Sequence, residues 1–179
     1  MRKFVLIFFF FTTSITMATT SIAPAKVAFV QILNPQGAVV QLEPGGSYAH
    51  IAISYKGAWL HAHPYRGVEI ISSEQLAKMG VVDVMTVTDT PEPSEAQIRK
   101  VLGKPYDLDF RWEGEKYYCS KLVGKLLNLE PLPMNFSSAL WRNHPSTNRR
   151  RGLSPDDIFQ ELLRRGENPS HLSFCSKVL

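Results

Sequence analysis

Residues 49–63, reading AHIAISYKGAWLHAH, constrain the fold of this chain more than any other segment. Two runs, Ala49 to Tyr55 and Ala58 to His63, flank the pair Lys56-Gly57. A two-residue loop of this kind closes a β-hairpin, so antiparallel sheet has to be part of the fold. Pairing Tyr55 with Ala58 sets Ala52 opposite His61 and His50 opposite His63. Side chains alternate along a strand, which places His50, His61 and His63 on one face. Two chemistries suit such a face. One is a base with an orienting partner beside a nucleophile; the other is a three-imidazole zinc site, which would also employ His63.

A candidate nucleophile lies further along. In LGKPYDLDFRWEGEKYYCSKLVGKLL, from Leu102 to Leu127, a loop rich in Tyr, Trp, Glu and Gly gives way to an apolar helical pattern at Cys119. Leu122, Val123, Leu126 and Leu127 recur at the spacing of one buried helix face. A thiol at a helix start meets unpaired backbone N–H groups and the positive end of the dipole, which favour thiolate. The alternative is a buried structural cysteine, or a disulfide with Cys175, the second of the chain's 2 cysteines.

The remaining pattern is α+β, an antiparallel sheet flanked by helices. Val27 to Leu33 and Val39 to Leu42 read as strands around the turn Asn34-Pro35-Gln36-Gly37. A short helix is expected from Ser73 to Met79, stopped by Gly80, and a strand from Val81 to Val87. Ser94 with Gln97 forms a capping box for a helix ended by Gly103. Ser154 caps a last helix with Pro155 in its first position, Asp156 and Asp157 in its first turn, and Gly166 after its end.

The chain opens with Arg2 and Lys3, an apolar run from Phe4 to Phe11, and small residues ending Ala23-Pro24-Ala25. That order is a secretory signal peptide over residues 1–25 with an Ala-x-Ala site, and the apolar run is too short to span a membrane. The expected product is an exported, periplasmic or secreted domain of residues 26–179 with no stable membrane span. Removing Arg2 and Lys3 lowers the formal charge of +4 by two. With Arg149-Arg150-Arg151 as the only basic run, nucleic acid is not an expected partner.

Four segments together resemble a known family: YAHIAISYKGAWLHA, the following Gly67-Val68, LGKPYD and YYCSKLV. They are similar to NlpC-type papain-like cysteine hydrolases, in the order of the circularly permuted YiiX/YebB-like branch, to which lecithin:retinol acyltransferase is related. In unpermuted members the Pro-Tyr loop and cysteine helix precede the histidine strands; here they follow. The resemblance spans Tyr48 to Leu127, with a weaker echo at Ser154 to Phe159. The Gly-Asp pair that usually opens the first strand is missing before Val27-Ala28-Phe29.

The resemblance implies a permuted papain-like fold and assigns roles. Cys119 matches the nucleophile and His50 the general base. His61 matches the polar residue that orients the base, where close permuted relatives often carry Glu. Tyr106 matches a tyrosine that shapes the substrate or oxyanion site. It implies no cofactor and no metal, and a peptide or acyl-amide substrate of the cell envelope, cleaved through an acyl-enzyme. Two alternatives remain: a lipid acyl hydrolase or acyltransferase of the same fold, and a non-catalytic envelope binding domain braced by a Cys119–Cys175 disulfide.

Overall fold

The computed structural model describes residues 23–135 and 150–171. The apolar run from Phe4 to Phe11 and Cys175 lie outside the described residues. Six strands form one antiparallel sheet: β1 (Pro24–Gln31), β2 (His50–Tyr55), β3 (Ala58–His63), β4 (Gly67–Ile71), β5 (Val81–Pro91) and β8 (Pro169–His171). Their order across the sheet is β4-β3-β2-β1-β5-β8. Four helices accompany it: α1 (Ser73–Ala77), α2 (Glu95–Val101), α3 (Cys119–Leu126) and α4 (Pro155–Arg164). A two-residue ladder pairs β6 (Leu132–Pro133) with β7 (Arg151–Gly152). The α+β class and the antiparallel sheet are as the sequence indicates.

Alternation along the strands builds two cores. Val27, Phe29, Ile51, Ile53 and Leu60 pack with Leu122 and Val123 of α3 and with Ile158 and Leu162 of α4. Ala28, Val30, Ala52 and Trp59 form the opposite face, covered by Leu76 of α1. Leu122, Ile158 and Leu162 are fully buried. Each contributes about 1.5–3 kcal/mol, which holds the cysteine helix firmly against β2.

The β2–β3 hairpin has the expected register, with Tyr55↔Ala58, Ser54↔Trp59 and Ile53↔Leu60. Lys56 and Gly57 both take positive φ, 50° and 79°. That is the backbone of the tight turn whose twist matches the flanking strands. The ladder ends at Ile53↔Leu60, however, so Ala52–His61 and His50–His63 are not paired as expected. The two strands part where the histidines begin. By alternation His50 and His61 share a face with Ala52 and Trp59, while α3 covers the other face. Cys119, at the start of α3, and His50 nonetheless line one cavity.

Several elements differ from the sequence expectation. The expected strand at Val39–Leu42 reduces to one bridge, Leu33↔Val39. Asn34 Oδ1 accepts from the N–H groups of Gln36 and Ala38, which fixes the turn, after which the chain leaves the sheet. The helix after β4 stops at Ala77, because Gly80 must pass against the Gln31 carbonyl, 2.0 Å from where a Cβ would stand. β5 continues to Pro91 because β1 begins at Pro24 and pairs along it. Ala25 is fully buried and pairs with Val87, so the expected 25/26 boundary falls inside β1. The capping boxes at Ser94–Gln97 and Ser154–Asp157 both form. Among the described residues no helix is long and apolar enough to cross a membrane.

Candidate active site

Cys119 is the first residue of α3, with Tyr118 in extended backbone as its N-cap. It carries a free thiol and is buried. Helix α3 is held by short-range and long-range contacts alike. Ser120 Oγ donates to the Leu153 carbonyl at 2.6 Å. Gly124 leaves room for Trp112 and Leu153, whose atoms lie 2.9 and 2.7 Å from a Cβ position there. Lys121 is buried, and its ammonium donates to the carbonyls of Glu113, Gly114 and Lys116 at 3.0, 3.0 and 2.7 Å. The loop leading into Cys119 is thus tied to the helix that follows it.

Tyr106 reaches the same place from the Lys104-Pro105-Tyr106 loop. The loop is bound to the residue two before Cys119: Tyr117 N–H donates to the Pro105 carbonyl, and Asp107 N–H to the Tyr117 carbonyl. Its other side docks on β4, where Val68 N–H donates to the Lys104 carbonyl. Gly67 permits this approach, since a Cβ there would sit 2.3 Å from that carbonyl oxygen, and its φ is +75°. Buried Asp107 accepts from the N–H groups of Asp109 and Arg111 and fixes the turn that carries Phe110 at φ 52°.

Cys119, His50, Tyr106 and His63 line one cavity of about 360 Å³. Its remaining wall is chiefly apolar, with Ile32, Val40, Leu42, Met79 and Phe110. The His50 and His61 rings meet edge-on, with His50 Nε2 2.8 Å from His61 Nδ1. His61 is fully buried, and its Nε2 lies 3.0 Å from Glu69 Oε1. Arg66 Nε donates to both Glu69 oxygens, at 2.8 and 2.9 Å. His63 stands apart from this chain, half-buried, with its Nδ1 accepting from the N–H groups of Tyr65 and Arg66.

Burial dominates the protonation of the pair. It pushes the Cys119 thiol up to about 11, against the N–H groups of Ser120, Ile51 and Cys119 itself that favour thiolate. It pushes His50 down to about 3, reinforced by His61 and His63. The helix start favours thiolate and burial opposes it, with burial the larger influence on the Cys119 thiol. His61 is lowered by burial, with Glu69 pulling the other way. Arg66 first, then His61, hold Glu69 below the usual carboxylate range. Tyr106 is raised well above a usual tyrosine, by burial and then by Cys119.

The structure brings the sequence-derived residues Cys119, His50 and Tyr106 to one cavity, with His61 directly behind His50. Glu69 and Arg66 were not anticipated. The signal was present in Pro64-Tyr65-Arg66-Gly67, which closes a second hairpin and sets Glu69 opposite His61.

A solved structure similar to this chain is titled as a metalloprotein, YiiX from Escherichia coli O157:H7. It matches with a TM-score of 0.57 and 20% identity, over 77% of this chain and 92% of that one. Both nitrogens of His61 are engaged in hydrogen bonds, whereas His50 and His63 each use one. Among the described residues no three or more His, Cys, Asp or Glu side chains are grouped to hold a metal ion. A search of curated proteins returns no match. Residues 22–139 match the family described as the permuted papain-like amidase enzymes, YaeF/YiiX, C92 family. The match covers more than half of the chain and includes the histidine strands, the Pro-Tyr loop and the cysteine helix, so this protein belongs to that family.

Proposed function

We propose that this protein is an exported thiol amidase that cleaves an amide bond in cell-envelope peptide material. The observation that carries the reading is the shared cavity of Cys119 and His50, with His61 bonded to the far edge of the His50 ring. His50 takes the thiol proton as Cys119 sulfur attacks the substrate carbonyl, so thiolate character arises during attack rather than at rest. The Cys119 backbone N–H and the Tyr106 hydroxyl stabilise the oxyanion. The amine leaves with the proton from His50, and water, activated by the same ring, hydrolyses the acyl-enzyme. Export uses the leader at the N-terminus. The burial of Ala25 favours cleavage ahead of Ala23 rather than after Ala25.

A second reading, hydrolysis or transfer of a lipid acyl group, is favoured by one observation: the apolar wall formed by Ile32, Val40, Leu42, Met79 and Phe110. Product analysis with muropeptides and with acyl esters separates the two substrates. In either case Cys119→Ser and a thiol alkylator should abolish turnover, and a strong chelator should leave it intact. Chelator-sensitive hydrolysis that resists alkylation would overturn the mechanism.

A further inference from the structure

The hydrogen-bond chain behind His50 continues past His61, and its far end sets its direction. We infer that Glu69, clamped by Arg66, is a positioning residue that fixes the tautomers of His61 and His50 and so leaves His50 Nδ1 free to accept the Cys119 proton. The inference rests on the reading of Cys119 and His50 as a catalytic pair.

Donor and acceptor inventory alone fixes the direction of the chain. An ionised carboxylate accepts and cannot donate. Glu69 receives Arg66 Nε on both oxygens, and Arg66 Nη2 lies 2.6 Å from Oε1. That arrangement keeps the carboxylate ionised. His61 Nε2, 3.0 Å from Oε1, must therefore carry its proton. A neutral imidazole has one N–H, so His61 Nδ1 is a bare acceptor. His50 Nε2, 2.8 Å from that atom, must then donate, which leaves His50 Nδ1 as the bare nitrogen. Without Glu69 the His50–His61 bond is satisfied equally well in reverse, with His61 Nδ1–H donating to His50 Nε2. In that reversed state His50 Nδ1 is protonated and cannot take the thiol proton.

The same chain supports the charge that forms. The proton leaves Cys119 sulfur for His50 Nδ1, giving thiolate and imidazolium. The cationic His50 still donates through Nε2 to His61, which donates to the Glu69 carboxylate. Because β3 and β4 pair His61 with Glu69 directly, the acceptor is set by strand register rather than by a flexible loop.

Nitrogen-15 NMR of the histidine rings tests this without any substrate. In the wild-type protein at neutral pH, His50 and His61 should both carry the proton on Nε2. In Glu69→Ala the Nδ1–H forms should appear, and Cys119 alkylation by iodoacetamide, read at its own peptide, should slow by about 10-fold or more, as for loss of an outer-shell partner. A wild-type spectrum with His50 protonated at Nδ1 would overturn the inference and needs no variant to fold. So would a folded Glu69→Ala protein with unchanged tautomers and alkylation rate. Failure of the amidase reading would show separately, as turnover that survives Cys119→Ser.

Discussion

Acidification should destabilise this protein through His50 by a predictable amount. In the unfolded chain a histidine titrates near 6.5, whereas burial holds folded His50 at about 3. A group with a depressed folded pKa contributes full stability above its unfolded pKa and loses it as pH falls toward the folded one. Between about pH 7.5 and about pH 5 the unfolded chain binds the proton and the folded His50 does not. The loss is about 1.5 logarithmic units at 1.36 kcal/mol each, or about 2 kcal/mol. At about pH 5 folded His50 is still neutral, so the figure is governed by the unfolded chain. Urea unfolding of wild type and His50→Asn at the two pH values gives the test as a difference of differences. The fixed cost of the substitution then cancels. Glu43, raised to about 7 chiefly by burial, acts in the opposite sense, gaining stability as pH falls, and cancels because it is present in both proteins. Wild type should lose about 2 kcal/mol more than His50→Asn on acidification. Equal losses would mean that His50 is not held neutral, and the description of the resting pair would fail with it.

Two further outcomes follow from the geometry. His61→Ala should lower kcat by about 100-fold or more, because it removes the group that orients His50, while His63→Ala, at the cavity rim and outside the bonded chain, should lose little; steady-state kinetics with the reverse ranking would refute the relay. Lys121→Met keeps the apolar stem but leaves three carbonyls without their ammonium, and should lower the unfolding free energy by about 2–3 kcal/mol, read as a lower urea midpoint at constant slope.

The hairpin and the helices were legible because their signals are local. Lys56-Gly57 fixes the turn and the register, and Ser94, Ser154 and the apolar spacing after Cys119 announce helices without reference to the rest of the chain. The opening of β2 from β3 was not legible. It occurs where α3 arrives from far along the sequence, and no residue in the hairpin announces the ladder's end. The helix start at Cys119 can be read from sequence, but the burial that raises its thiol is a property of the packed site. Glu69 meets His61 only through the β3–β4 register set by the Pro64–Gly67 turn, so no pattern within β4 marks it as a partner. The burial of Ala25 depends on its pairing with Val87 of β5, some sixty residues later.

The bonded chain from His50 to Glu69 has a consequence for how the protein assembles. Its members are separated by only 11 and 8 positions, within a meander of tight turns. Loop-closure entropy for such contacts is small, so this part can form early. Cys119 belongs to a helix that docks only after the chain has passed β5 and α2. Contact order alone thus favours forming the base and its support before the sulfur reaches them. By that order the pairing of Cys119 with His50 is expected only when α3 docks on β2, at a stage when the imidazole chain can already be in place.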